Sequence, residues 1–155
     1  MDGEVPALSF DTWIYIQSDV AYSHARTHGI LEVIRGWIAG RSALAVSFKE
    51  ATKDFGPIHA VYRGLQNIPL EHVVGSVGRA SEFTRSFRPL IWLDRQKERW
   101  RISYTKTLSG GGYPAIEVYQ VGREYFVVNG HHRVSLAKYF AWETIEAHVS
   151  EIGAA

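Results

Sequence analysis

Cysteine is absent from the 155 residues of the chain. That absence excludes disulfide scaffolds, thiolate zinc sites, iron–sulfur clusters and cysteine-nucleophile mechanisms. Any chemistry must then rest on His, acidic or hydroxyl side chains, or on a bound cofactor. Long apolar runs are lacking as well. No uncharged stretch approaches the roughly 18 residues that read as a membrane span, and no basic-then-apolar leader opens the chain, so the expectation is a cytoplasmic protein with no membrane partner. A net charge of only +1 argues against a general nucleic-acid coat. There is no internal repeat and no low-complexity tract. What is present, 46% hydrophobic residues in a chain of this length, suffices for one ordinary globular domain with its own core, and predicts one domain plus an extension.

The small net charge hides an uneven distribution. Residues 1–78 hold 6 basic and 8 acidic side chains, residues 79–106 hold 8 and 3, and residues 107–155 hold 3 and 5. The central block carries Arg79, Arg85, Arg88, Arg95, Lys97, Arg99, Arg101 and Lys106, interleaved with Phe83, Phe87, Trp92, Trp100 and Tyr104. Such a composition can bind phosphates and stack bases. The same residues also fit an amphipathic helix that buries Leu93, Trp100 and Tyr104 and turns its charges to water.

Between Asp11 and Ile38 the pattern is helical, with Ile30, Ile34, Trp37 and Ile38 on one apolar face and Gly40 as C-terminal cap. Trp13 with Ile14, and Trp37 with Ile38, give this helix aromatic-rich faces suited to packing on a sheet or to a homodimer interface. Ser47 to Glu50 fits a capping box for a short second helix that stops at Gly56-Pro57. Residues 1–66 are thus read as a helical N-terminal extension and 67–152 as the main domain. In the latter, β-like runs cover Asn67 to Val74, Ile116 to Val121, Tyr125 to Val128 and Ile145 to Ile152, with Gly122-Arg123 as a tight turn. Ile145, Ala147 and Val149 alternate with Glu146, His148 and Ser150, which predicts one buried and one wet face. Arg133 to Phe140 has helical spacing. The order strand, strand, sharp turn, helix, strand gives an α+β fold with a compact mixed sheet and packed helices.

The sharp turn, Asn129-Gly130-His131-His132-Arg133, carries the most information. Gly130 can adopt a positive φ and lets a ligand approach the backbone, and the first-turn amides of the following helix form a ready anion site. Arg133 adds a charged fork for phosphate oxygens, and His131 and His132 add donors whose charge can change near neutral pH. Three other readings stand beside this one. Asn129-Gly130 also fits a hairpin turn. The histidines could ligate a metal, although adjacent residues cannot easily both face one ion. Arg133 could pair with a local carboxylate while the histidines satisfy backbone groups.

The segment from Tyr125 through Asn129-Gly130-His131-His132-Arg133 to Ala137, followed by Ile145-Glu146-Ala147-His148-Val149, resembles the phosphate-binding box of the ParB/sulfiredoxin-like superfamily. Ile68 to Arg79 resembles that family's opening strand and following loop, and Gly112-Tyr113-Pro114-Ala115-Ile116-Glu117-Val118 its approach to the next strand. The resemblance covers residues 68–152 in order. Members of the superfamily include CTP-dependent DNA clamps of chromosome partition, ATP-using sulfinic acid reductases, and small-molecule kinases that phosphorylate serine. The reductases carry a cysteine in the box, which this chain lacks. The clamps carry Gly-Glu-Arg-Arg there and add a helix-turn-helix that the resemblance does not include. The kinases read Asp-Gly-His-His-Arg, with Asn129 standing here in place of the aspartate.

The resemblance implies a nucleotide, CTP or ATP/ADP with Mg²⁺, held by Ser76, Arg79, Asn129, Gly130, His131, His132 and Arg133, with no protein-ligated metal. Glu82 is the one candidate catalytic base, for a serine-type kinase or a nuclease, and also fits a helix N-terminal carboxylate. The basic segment 79–106 keeps DNA as an alternative partner, and a homodimer is a further expectation.

Overall fold

Ser9 accepts a hydrogen bond from the Thr12 N–H (3.2 Å) and so starts helix α1 (Phe10–Ile38) in the computed structural model, which describes residues 8–90 and 94–154. The helix ends as expected at Ala39 and Gly40, the latter at φ +67°. The buried face is not the expected one. Ile14, Ser18, Ala21, Tyr22, Ala25 and Gly29 face the protein, whereas Ile30, Ile34, Trp37 and Ile38 are exposed. Small residues let α1 come close to its neighbours: a Cβ placed on Gly29 would lie 3.0 Å from Arg88 Cβ. Close approach, rather than side-chain size, selects this face.

Helix α3 (Asp94–Leu108) lies against α1. Arg101 reaches across to Ser18 Oγ and the Tyr15 carbonyl (both 3.0 Å), Lys97 pairs with Asp19 (2.6 Å), and Tyr22 meets Trp100 edge to face at 5.6 Å. Trp100 is fully buried and Tyr104 half-buried, as the amphipathic reading requires; Trp92 and Leu93 lie outside the described residues. Between the two long helices come β1 (Val46–Ser47) and the single-turn α2 (Phe48–Ala51). Ser47 stands at the N-cap but its hydroxyl makes no capping bond, and Glu50 turns to Lys53 instead, so the expected capping box does not form.

Two strand assignments change. Residues 58–66, expected to be helical, belong to β2 (Ile58–Pro69), which pairs along its length with β6 (Thr144–Ala154). The single strand expected over Asn67–Val74 is broken by a 3-10 turn at Leu70–His72, after which β3 (Val73–Ser76) begins. The other elements fall near their expected places: β4 (Ile116–Val121), the Gly122-Arg123 turn, β5 (Glu124–Asn129) and α4 (His131–Tyr139). The fold is α+β, with a six-stranded mixed sheet in the order β1-β3-β5-β4-β6-β2. Among the described residues no helix is long and apolar enough to cross a membrane.

Val134 and Ala137 of α4 cover one sheet face at Val73, Ile116, Val118, Val127, Ala147 and Val149, and Phe48 closes the other over Phe126 and Ile152. Alternation in β6 follows the sequence reading, with Ala147 and Val149 buried and Glu146 and His148 exposed. The parallel pairing of β3 with β5 sets Ser76 beside Val127. The chain leaving β3 and the helix following β5 are therefore neighbours at one end of the sheet.

Ala141, just beyond α4, sits at φ +56°, where Trp142 N–H returns to the Ala137 carbonyl (3.0 Å). A side chain at this conformation costs about 1–2 kcal/mol relative to the right-handed region, partly offset by glycine's larger unfolded-state entropy. Ala141→Gly is expected to raise unfolding stability by about 0.5–1 kcal/mol in a urea titration.

Candidate functional site

The left-handed conformation at Gly130 (φ +107°) turns the chain from β5 directly into α4. A Cβ there would approach Ile116 Cγ2 to 2.5 Å, so strand β4 and the turn can lie this close only with glycine. The first bond of α4 runs from Val134 N–H to the Gly130 carbonyl (3.0 Å). The amides of His131, His132 and Arg133 precede it and form the positive end of the helix.

His131 is buried between the two loops. Its Nε2 lies 2.7 Å from Ser76 Oγ, and its ring also bonds the Val127 backbone and stacks on Phe83 at 5.8 Å. With the other ring nitrogen donating to the Val127 carbonyl, Nε2 is an acceptor and the Ser76 hydroxyl the donor. Ser76 Oγ in turn accepts from the Arg79 N–H (2.8 Å) and the Gly78 N–H (3.3 Å). Ser76 is fully buried and is a bracket between the β3 loop and α4, not a group facing the cavity. The expectation that it contacts phosphate is corrected accordingly.

Burial, and then Arg79, pushes the pKa of His131 down to about 4. His132 is pushed down to about 3 by burial, then Arg79, His131 and Arg99, and both of its ring nitrogens are buried without a hydrogen bond. Both rings are therefore neutral near pH 7, contrary to the expectation that their charge changes there.

Arg133 lines the cavity but is partly engaged within the fold. One of its guanidinium nitrogens donates to the carbonyls of Pro114 (2.5 Å) and Ala115 (3.1 Å), tying α4 to the approach of β4 rather than to a carboxylate. Arg79 pairs with Glu82 and donates to Gln96 Oε1 (2.6 Å). Both Glu82 oxygens face the Arg79 fork, so the candidate base is engaged in an ion pair.

A cavity of about 240 Å³ opens on the N-terminus of α4. Its wall contains Asn129, Gly130, His131, His132 and three arginines: Arg79 from the β3 loop, Arg133 from α4 and Arg99 from α3. No carboxylate lines it among the described residues. Sequence reading named Arg99 only within the basic block and did not place it at the turn; the fold of α3 across α4 does so. A larger cavity, about 550 Å³, lies at the opposite end of α4 beside Lys138 and Trp142 and holds none of the expected phosphate ligands. The smaller cavity is the better candidate because fixed amides and guanidinium groups converge there.

Half of the basic side chains of the segment are neutralised within the fold. Arg79, Arg88, Lys97 and Arg101 have carboxylates within 4.0 Å, whereas Arg85, Arg95, Arg99 and Lys106 make no ion pair among the described residues. Histidines at helical spacing, missed in the sequence, occur on α1: His24 and His28, with Nε2 atoms 3.0 Å apart. No group of three or more potential metal ligands gathers among the described residues.

No family model, curated protein or solved structure matches the chain.

Both buried histidines have lower pKa values folded than unfolded, so the unfolded chain binds more protons and their stabilising contribution, complete above pH 6.5, is lost as the pH falls toward 4 for His131 and toward 3 for His132. At about 1.4 kcal/mol per pH unit for each group, stability should decline by a few kcal/mol across that window. Urea melts as a function of pH should show this fall, and a shallower one in His132→Leu; an equal slope in the variant contradicts the assignment.

Proposed function

We propose that the protein binds a nucleoside di- or triphosphate, CTP or ATP/ADP, with its phosphates at the N-terminus of α4, as a ParB/sulfiredoxin-like nucleotide-binding domain. The observation that carries this reading is the carboxylate-free cavity in which Arg79, Arg99 and Arg133 surround the first turn of α4. The open Arg99 guanidinium and the helix N-terminus oppose a polyphosphate directly, while Arg79, paired with Glu82, and Arg133, bound to two carbonyls, would share their remaining donors with it. Asn129 offers an amide at the rim.

His131 and Ser76 support the site rather than contact the ligand, since their polar atoms are committed to each other and to the backbone. His132 lines the cavity too, but both of its ring nitrogens are buried away from the open space. With no carboxylate in the lining, Mg²⁺ would be carried by the nucleotide's own phosphates, Asn129 being the one side-chain amide oxygen nearby. This set of residues supports binding better than group transfer. A kinase or nuclease needs a base beside the phosphates, and Glu82 is held by Arg79 outside the cavity lining.

The DNA alternative draws less support, because four of the eight basic side chains of the central segment already face carboxylates of the protein.

Calorimetric titration with CTP, ATP and ADP in the presence of Mg²⁺ tests the reading. At least one nucleotide should bind, and Arg99→Ala, at an exposed position, should weaken it about tenfold through loss of a charge-assisted contact while leaving the melting temperature unchanged. No heat with any of the three, or an unaltered affinity in the variant, overturns it.

A further inference from the structure

Helix α1 has a second apolar face. Its inner face, Ile14, Ser18, Ala21, Ala25 and Gly29, packs on the protein. On the opposite side, Trp13, Ile16, Val20, Ser23, Thr27, Ile30, Ile34 and Trp37 follow one another at alternating steps of three and four residues, the seam of a coiled coil. All six apolar members are exposed: Trp13 by 51%, Trp37 by 81%, and the four aliphatic residues by 37% to 63%. A helix stabilised only by its inner face has no need of a strict 3.5-residue repeat on its outer one.

The seam is also a mirror of itself. Read from both ends toward Ala25, it pairs Trp13 with Trp37, Ile16 with Ile34, Val20 with Ile30 and Ser23 with Thr27. A parallel pair makes no use of such symmetry, because there every residue meets itself. An antiparallel pair does. It brings each side chain against one of its own kind and opposes the two helix dipoles. We propose that α1 is the dimerisation element of this protein, pairing through this seam with α1 of a second copy as an antiparallel coiled coil about a two-fold axis near Ala25.

The area is adequate for such a pair. Taking roughly 150–250 Å² for an aromatic side chain and somewhat less for the aliphatic ones, the six apolar residues offer on the order of 600 Å² per copy at their observed exposures. The two copies together reach about 1,200 Å², the lower limit of a stable specific interface. The 29-residue helix is about 43 Å long and presents four heptads. At its centre the small Ser23 and Thr27 form a polar layer, which fixes the register in the way a polar core position does in other coiled coils. The contact is isologous and closes on itself, so it yields a dimer and not a filament.

Sedimentation velocity of the full chain at tens of micromolar should give the mass of a dimer. Ile34→Glu, at an exposed position, should return the protein to a monomer that keeps the parent's far-ultraviolet circular dichroism. Orientation is read from the cysteine-free background: Val20→Cys and Ile30→Cys proteins, mixed and treated with a short bismaleimide, should link to each other. Neither should link to itself, since two copies of residue 20 would stand about 15 Å apart along the axis. A monomer at these concentrations overturns the proposal, as does a dimer that survives Ile34→Glu, and self-linking of Val20→Cys overturns the antiparallel arrangement.

Discussion

The hydrogen bond between Ser76 Oγ and His131 Nε2 joins the end of β3 to the start of α4, and much else at this end of the sheet follows from it. Parallel pairing of β3 and β5 brings the two segments together, with Ser76 beside Val127 as the last pair in register and the Val77 N–H still bonded to the Val127 carbonyl (3.0 Å). The Ser76 hydroxyl then holds the Arg79 and Gly78 amides while donating to the ring, so the β3 loop is folded onto α4 by one oxygen atom. The arrangement requires a neutral imidazole. A protonated Nε2 would turn donor against donor and bring a second positive charge next to Arg79. Burial of the ring under Phe83 is what keeps the neutral form.

Electrostatics at the site are set by which cations remain after the fold has used the others. The central segment has a net charge of +5 in the sequence, yet Lys97 and Arg101 fasten α3 to α1 through Asp19, and Arg88 lies near Glu32. Arg133 is partly turned to backbone carbonyls and Arg79 to Glu82. Of the three arginines in the cavity wall, Arg99 alone has a side chain that makes neither an ion pair nor a hydrogen bond with the protein among the described residues. The field there comes from one open guanidinium, two braced ones and the amides of α4, all aimed at a space without a carboxylate.

Local chemistry was the most legible part of the sequence. Gly130 and the helix after it, the Gly122-Arg123 hairpin, the alternation in β6 and the extent of α1 were readable because each depends on residues close in the chain. Long-range choices were not. Residues 58–66 have no strong strand alternation because β2 is an edge strand largely open to solvent, and β6 rather than its own pattern makes it a strand. The partners of Arg133 are the carbonyls of Pro114 and Ala115, which no residue pattern announces. Ser76 is a candidate ligand through the family resemblance alone and His131 through the turn as well, yet each satisfies the other, and only the geometry of the bond separates a ligand from a bracket.

The inner face of α1 explains why the largest apolar residues were assigned to the wrong side. Periodicity favours the bulkiest stripe, yet Ala21, Ala25 and Gly29 bury more usefully against Trp100, Leu136 and the Arg88 turn because they let backbones approach. The bulky stripe is thereby left outside, and α1 becomes a two-sided element. Its inner side positions α3 through Asp19, Ser18 and the Tyr15 carbonyl, and α3 delivers Arg99 to the cavity. The outer seam lies on the side of α1 away from α3, so what happens on it reaches Arg99 through the contacts of α1 with α3, the ion pairs of Asp19 and the Tyr22–Trp100 packing among them. Changes at Asp19 or Arg101 act on the register of that contact, whereas changes confined to the outer seam leave the geometry of the α4 turn, fixed by Ser76, His131 and Gly130, as it is.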